Sequence, residues 1–142
     1  MPSRRIAIVD NDPTAALVTQ RGLQKLLNGD VKVTVAPSPN AAWMDCLNEE
    51  VDLVIVDPSP QGGAATSLVR VLRRYRPQIP VLVLTAYDSP GLRKQMRTFG
   101  VESYLAKPVD LRDLGQTVRT VLREAPLQQA VLHQLRSANN AA

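Results

Sequence analysis

Polar side chains directly follow four short apolar runs of this sequence. The runs 6–9, 53–56, 81–84 and 104–106 are followed by Asp10-Asn11-Asp12, Asp57, Thr85-Ala86 and Lys107-Pro108. Carboxylates, a hydroxyl and an ammonium that meet at one place suit phosphoryl transfer to a carboxylate, because that reaction depends mainly on countercharge. A fold requires none of these groups at these positions, so the pattern predicts a functional site.

The residue types suggest a role for each member of this site. We predict that Asp57 is the nucleophile, since carboxylates can form aspartyl phosphates. Mg²⁺ would supply countercharge, held by hard oxygen ligands that include one or two carboxylates. Lys107 would contact the phosphoryl oxygens as a point charge. The Thr85 hydroxyl and backbone N–H groups such as that of Ala86 would donate to the remaining oxygens.

Five apolar runs alternate with amphipathic stretches, which predicts parallel strands joined by crossover helices. The runs 6–9, 53–56 and 81–84 are apolar at every position, as strands covered by helices on both faces must be. The run 31–35 alternates Val with Lys and Thr, which is typical of an edge strand. We therefore predict a three-layer α/β/α domain, whose ligand site lies beyond the carboxyl ends of the strands.

The helix boundaries and the core also follow from the pattern. Helix starts are predicted at Pro13, Ser38-Pro39, Ser89-Pro90 and Asp110, and helix ends near Asn28-Gly29 and at Gly100. Trp43, Met44 and Phe99 are predicted to lie in the core, and Cys46 to be an inert small side chain on its helix. The segment 126–136 has helical spacing, and it is either a linker or dimerisation helix or a frayed tail.

Composition excludes several classes of protein. The 142 residues are 44% hydrophobic and 21% charged, which argues against collagen-like, coiled-coil and wholly disordered chains. No apolar run could cross a bilayer, and no signal-peptide pattern opens the sequence. The one cysteine excludes an intramolecular disulfide, so we expect a cytoplasmic location. Too few residues follow position 123 for a DNA-binding domain, and we expect no direct DNA binding by this chain.

Four segments, 6–13, 53–58, 81–86 and 100–108, together resemble the receiver domain of two-component response regulators. The resemblance covers residues 4 to about 124 and implies a flavodoxin-like sheet of strand order 2-1-3-4-5. It implies that Asp57 accepts phosphate from a sensor histidine kinase or a phosphotransfer protein. It also implies that Thr85 and Tyr104 form the switch pair, and that the Lys107-Pro108 bond is cis. The expected boundaries are a receiver domain over 1–124 and a C-terminal helix, linker and tail over 125–142.

The resemblance further implies a Mg²⁺ site, but this sequence departs from the residues that the family usually has there. The family usually has two carboxylates after the first strand, and here the second position is Asn11. An amide brings no charge, so we expect Mg²⁺ binding that is weakened and not abolished. The expected ligands are Asp10, Asp57, the backbone carbonyl of Ser59, and either Asn11 or Asp12.

The function implied is a phosphorelay receiver that switches the face formed by the fourth helix, the fifth strand and the fifth helix. That face would bind an output domain, an output protein or a second copy of the chain. The arginines expected to give it a basic character are Arg93, Arg97, Arg112 and Arg119. Enzyme activity is expected to be at most weak self-catalysed phosphotransfer and autodephosphorylation.

Three other functions fit parts of the pattern. A pseudo-receiver that binds partners without phosphorylation is suggested by Asn11, whereas the retained Asp57, Thr85 and Lys107 argue against it. A phosphatase of the haloacid-dehalogenase type needs a second Asp where Ser59 stands. A flavodoxin needs aromatic residues that stack on a flavin, and the 4% aromatic content leaves few candidates.

Overall fold

A parallel sheet lies at the centre of the protein. The structure is a computed structural model that describes residues 4–59 and 62–123. The strands are β1 (Arg4–Val9), β2 (Val31–Val35), β3 (Leu53–Val56), β4 (Val81–Thr85) and β5 (Ser103–Ala106). Their order is β2-β1-β3-β4-β5 and every pairing is parallel. The predicted flavodoxin-like order is confirmed, and only Val33 is buried in β2, as expected of an edge strand.

Within the described residues, four helices connect the strands and a fifth follows β5. They are α1 (Pro13–Leu27), α2 (Pro39–Leu47), α3 (Ala64–Tyr75), α4 (Pro90–Thr98) and α5 (residues 111–123). The hydroxyls of Ser38 and Ser89 accept from backbone N–H groups of α2 and α4, and a proline follows each cap. The Asp110 carboxylate accepts from the N–H of Arg112 and begins α5, as predicted. Gly100, with φ of 92°, directly follows the fourth helix and its capping residue.

Two apolar clusters fill the space between the layers. One joins the sheet to α2, α3 and α4, and the other joins it to α1 and α5. Alternate residues of β1 face opposite clusters: Ile6 and Ile8 pack towards α1 and α5, whereas Ala7 and Val9 pack towards the other helices. Because helices cover both faces of β1, β3 and β4, these strands are apolar throughout 6–9, 53–56 and 81–84.

The core prediction for α2 is only partly correct. Trp43 is partly buried against the core, and so is Phe99 at the end of α4. Met44 was predicted to be buried but is half-exposed, because α2 turns Ala42 and Cys46 inward and Met44 lies on the opposite side of the helix. Burial, together with the charge of Asp45, raises the pKa of the Cys46 thiol to about 11, which makes it inert as predicted.

Some sequence predictions concern residues outside the described ranges. The helix predicted over 126–136 and the tail after it belong to this group. Within the ranges 4–59 and 62–123, no helix is long and apolar enough to cross a membrane.

Candidate functional site

The carboxyl ends of three strands bring Asp10, Asp57 and Lys107 into one cluster. The Lys107 Nζ donates to Asp10 Oδ2 over 2.8 Å and to Asp57 Oδ2 over 3.1 Å. The side chains of Asp10 and Asp57 are only 6% and 4% exposed, and that of Lys107 is 20% exposed. Burial lowers the pKa of Lys107, but hydrogen bonds to both carboxylates and their charges outweigh it and hold the pKa above its usual value. The ammonium is therefore positively charged and compensates both carboxylates.

The two oxygens of Asp57 have different surroundings. Oδ2 accepts from Lys107 and also from the backbone N–H of Ala86, over 3.3 Å. Oδ1 is buried, and within the described residues it has no hydrogen-bond partner. A buried carboxylate oxygen normally finds a partner, so an unsatisfied one needs an explanation. Oδ1 is the atom that a ligand or an incoming group would engage.

The two aspartates after β1, Asp10 and Asp12, have different roles. Asp10 Oδ1 accepts from the backbone N–H of Asp12 over 2.9 Å, which turns Oδ2 towards Lys107. Asp12 Oδ1 accepts from the N–H groups of Thr14 and Ala15, so this carboxylate caps α1. Asn11, between them, is exposed. Of the two alternatives for a further metal ligand, Asp12 is therefore already engaged as a helix cap.

The Ser59 carbonyl is also engaged. Its oxygen accepts from the N–H of Gly62 over 3.1 Å and from the Thr66 hydroxyl over 3.4 Å. These bonds fix the start of α3, and Gly62 with its neighbour Gly63 supplies the positive φ angles of 83° and 107° that the loop requires. A carbonyl oxygen has two lone pairs, so a role in metal binding would require Ser59 to give up one of these bonds.

The donors at this rim suit a small hard cation. In the part of the chain that the structure describes, no three Asp, Glu, His or Cys side chains gather closely enough to hold a metal ion by themselves. Two carboxylates, Asp10 and Asp57, are present, and the buried Asp57 Oδ1 lacks a partner. Mg²⁺ is commonly held by one or two carboxylates while waters and phosphate oxygens complete its octahedron. The residues therefore fit Mg²⁺ with few protein ligands.

Thr85 and Tyr104 lie on adjacent strands but do not touch the same group. Thr85 is fully buried, and its Oγ1 accepts from the N–H of Tyr87 over 2.9 Å. The backbone N–H of Lys107 donates to the Thr85 carbonyl, and the Lys107-Pro108 bond is cis as the resemblance implied. The Tyr104 hydroxyl donates to Asp88 Oδ1 over 2.9 Å.

Asp88 and Arg93 form a contact with Tyr104 that the sequence did not reveal. Arg93 donates to both oxygens of Asp88, over 2.7 and 2.8 Å, and its guanidinium lies 4.9 Å from the centroid of the Tyr104 ring. Hydrogen bonds from Arg93 and Tyr104 lower the pKa of the Asp88 carboxyl. Burial and the hydrogen bond to Asp88 raise the pKa of Tyr104 to about 12. The only signal in the sequence is an acid five residues before an arginine across the start of a helix.

The predicted basic face is less uniform than its composition suggests. Arg93 is neutralised by Asp88. Arg119 donates to the carbonyl of Leu26, the residue before the end of α1, so its side chain is directed towards α1. The prediction that all four arginines share the face formed by α4, β5 and α5 is therefore wrong for Arg119.

Comparisons with known proteins agree with this geometry. The family model described as the response regulator receiver domain matches residues 6–119. The response regulator protein PilR of Pseudomonas aeruginosa is 30% identical over 141 residues, covering 93% of this chain and 31% of PilR. The sensor protein GacS of Pseudomonas syringae is 29% identical over 119 residues, covering 80% of this chain and 13% of GacS.

Solved structures show the same fold. The response regulator receiver domain protein of Methanospirillum hungatei superposes with a TM-score of 0.76 at 26% identity, covering 89% of this chain and 99% of the other. The BeF3-activated receiver domain of Klebsiella pneumoniae RstA gives a TM-score of 0.73 at 28% identity, covering 84% and 99%. The chain spans only about a third of PilR and about half of the activator protein IrlR of Burkholderia pseudomallei. The chain belongs to the receiver domain family of two-component response regulators, and phosphorelay signalling is its function.

Proposed function

We propose that Asp57 accepts a phosphoryl group from the phosphohistidine of a sensor kinase or a phosphotransfer protein. The observation that carries this proposal is the difference between its two oxygens: Oδ2 is fixed by Lys107 and Ala86, whereas the buried Oδ1 is unpartnered within the described residues. An O–P bond forms at one carboxylate oxygen of Asp57 as the N–P bond breaks, and the electron pair of the N–P bond returns to the imidazole of the donor.

The other residues of the site stabilise charge. Lys107 stays protonated beside the acceptor and interacts with the anionic phosphoryl oxygens. The N–H of Ala86 and the hydroxyl of Thr85 lie at the same strand end and supply further donors. Mg²⁺, when bound, would supply the remaining countercharge. Asp10 and Asp57 would hold it, with Ser59 and Asn11 as further ligands once Ser59 releases a hydrogen bond.

Two exposed apolar side chains near the rim support a protein phosphodonor. Leu111, at the start of α5, packs on Gly22 of α1, where an added Cβ would lie 2.7 Å from the leucine methyl group. Val18 is one helical turn closer to the rim than Gly22, and both Val18 and Leu111 are exposed. An apolar pair beside a charged site gives a partner a surface on which to dock.

Downstream, the face formed by α4, β5 and α5 would contact an output domain, an output protein or a second copy of the chain. The location would be cytoplasmic, where a free thiol such as that of Cys46 persists. Beyond phosphotransfer to itself and autodephosphorylation, we assign no catalytic turnover to the domain. The receiver would occupy 1–124, followed by a helix or linker over 125–142.

The proposal is tested by mapping the phosphorylated residue. Wild type, Asp57→Asn and the control Asp45→Asn are incubated with acetyl phosphate and Mg²⁺, and the label is located by mass spectrometry after borohydride reduction. We expect label on Asp57 in wild type and in Asp45→Asn, and none in Asp57→Asn. Label that persists in Asp57→Asn contradicts the assignment. A folded wild-type protein that takes up no label favours the pseudo-receiver suggested by Asn11.

A further inference from the structure

Each residue of the loop between β4 and α4 makes a hydrogen bond. This loop, residues 86–89, joins the phosphorylation site to the start of α4. The N–H of Ala86 contacts Asp57, and the N–H of Tyr87 contacts the Thr85 hydroxyl. Asp88 accepts from Tyr104 on β5, and the Ser89 hydroxyl caps α4. Only one residue therefore separates the contact with the acceptor carboxylate from the contact with Tyr104.

Asp88 restrains Tyr104 in two ways, directly through the tyrosine hydroxyl and indirectly through Arg93. Asp88 Oδ1 accepts the Tyr104 hydroxyl over 2.9 Å, and Arg93 binds both oxygens of the same carboxylate. The Arg93 guanidinium also lies over the face of the Tyr104 ring, 4.9 Å from its centroid. Bidentate pairing fixes the guanidinium in orientation as well as in distance, so the hydroxyl and the ring of Tyr104 are restrained together.

We propose that Asp88 and Arg93 form a latch that positions Tyr104 and sets the balance between the resting and the activated arrangement of the domain. This proposal rests on the proposed function, because phosphorylation of Asp57 is the event that would release the latch. It makes Asp88 a positioning residue, because Asp88 acts on the switch through Tyr104 and does not contact Asp57.

Phosphorylation would open the latch through the loop. A phosphoryl group on Asp57 draws on the Ala86 N–H and the Thr85 hydroxyl, which now bind Asp57 and Tyr87. If Thr85 Oγ1 turns towards the phosphoryl group it leaves the Tyr87 N–H, and residues 86–88 then shift, Asp88 among them. A ligand moves a two-state equilibrium only by its differential affinity for the two states. The free energy of the latch contacts therefore opposes activation. Breaking these contacts shifts the equilibrium towards the activated arrangement.

Opening the latch also changes the surface of α4. In the latched arrangement the charge of Arg93 is paired with Asp88, the only acid among residues 58–101. When Asp88 moves away, Arg93 becomes available to an acidic partner on the face formed by α4, β5 and α5. The same event thus frees Tyr104 and leaves a cation on α4 unpaired.

The test compares Asp88→Ala with Arg97→Ala, which removes a charge from α4 without touching the latch. Amide and ¹³C-tyrosine NMR spectra are recorded with and without beryllofluoride and Mg²⁺. Without beryllofluoride, we expect Asp88→Ala to move the signals of residues 86–89 and Tyr104 along the line from resting to activated wild type. Because exposed ion pairs contribute little, beryllofluoride affinity should rise about two- to fivefold. Asp88→Asn, which keeps an acceptor for Tyr104, should give a smaller shift, and Arg97→Ala should match wild type.

Two results would overturn the latch. One is an Asp88→Ala spectrum in which the Tyr104 signals stay at their resting positions. The other is a beryllofluoride affinity that changes no more than in Arg97→Ala. If wild type binds no beryllofluoride, the proposed function fails, and the latch is judged on the Tyr104 side chain alone. In that case, χ1 couplings that change in Asp88→Ala support the positioning of Tyr104 by Asp88, and unchanged couplings refute it.

Discussion

The Lys107 Nζ lies 3.1 Å from Asp57 Oδ2, although the two residues are 50 positions apart and their strands are not neighbours. β4 separates β3 from β5, so the lysine side chain crosses the end of β4 to reach the acceptor. Thr85, the last residue of β4, accepts from the backbone N–H of Lys107 and fixes where the side chain starts. A long side chain on a fixed backbone thus delivers one positive charge to carboxylates from two other strands.

Replacement of this lysine should destabilise the fold. Lys107→Met leaves two nearly buried carboxylates without a cation, and we expect a loss of about 1–3 kcal/mol in the free energy of unfolding at neutral pH, less than for a fully buried pair because Lys107 is partly solvated. The folded-state pKa of Lys107 lies above its ordinary value of 10.5. The stabilisation is therefore present below pH 10.5 and is lost as pH rises through the folded-state pKa.

Urea denaturation of wild type and Lys107→Met between neutral pH and pH 11 measures this effect. The difference between the two proteins should narrow at the alkaline end. A difference that stays constant over the whole range would show that the lysine charge does not stabilise the cluster. Lys25→Met, on the last turn of α1, serves as the control for losing a lysine.

The Tyr104 phenol should titrate above its ordinary pKa, in part because of its hydrogen bond to Asp88. Its pKa is raised to about 12, by burial and by the hydrogen bond to Asp88. The protonated phenol therefore stabilises the folded state, and this contribution is lost as pH rises from the ordinary value of 10 towards 12. We expect Asp88→Ala to lower the Tyr104 pKa towards 10 without reaching it, because burial persists. Phenolate absorbance measures the titration, and Tyr104→Phe identifies its contribution. An unchanged late titration in Asp88→Ala would assign the whole shift to burial.

Strand order and the main site could be predicted because they depend on local patterns and on one topological rule. The apolar runs identify β1, β3 and β4, and parallel strands necessarily end at the same rim, so Asp10, Asp57 and Lys107 must meet there. The serine caps at Ser38 and Ser89, each followed by a proline, are equally local signals. Predicting these features requires no knowledge of side-chain orientation.

The features that the sequence did not reveal depend on the rotation of helices and on competition between partners. Met44 is helical as predicted, but which side of α2 meets the sheet is decided by packing. Asp12 had two plausible uses, and the N–H groups of α1 claim its carboxylate. Arg93 was grouped with other arginines by composition, whereas its nearest charge is Asp88, five residues earlier.

Thr85 offers a way to separate phosphorylation from its consequences. Thr85→Val removes the acceptor of the Tyr87 N–H and keeps the buried volume, whereas Thr85→Ser keeps the hydroxyl. We expect both variants to accept phosphate on Asp57 from acetyl phosphate, because Lys107 and the Ala86 N–H remain. Beryllofluoride should move the Tyr104 signals in Thr85→Ser and much less in Thr85→Val. Equal Tyr104 responses in the two variants would remove the Thr85 hydroxyl from the switch.

Asn11 should limit the affinity for Mg²⁺. Asp12 caps α1 and Asn11 is exposed next to Asp10, so a carboxylate at position 11 would add a charge beside the cluster. We expect Asn11→Asp to tighten Mg²⁺ binding by about ten- to thirtyfold, equivalent to about 1–2 kcal/mol, and to speed phosphorylation by acetyl phosphate when Mg²⁺ is limiting. Asp12→Asn is the matched control, since asparagine caps a helix about as well as aspartate, and it should leave the Mg²⁺ titration nearly unchanged. Calorimetric titration of the three proteins gives the affinities. A titration that responds to Asp12→Asn and not to Asn11→Asp would place the further ligand at Asp12, and α1 would then have to give up its cap whenever the metal binds.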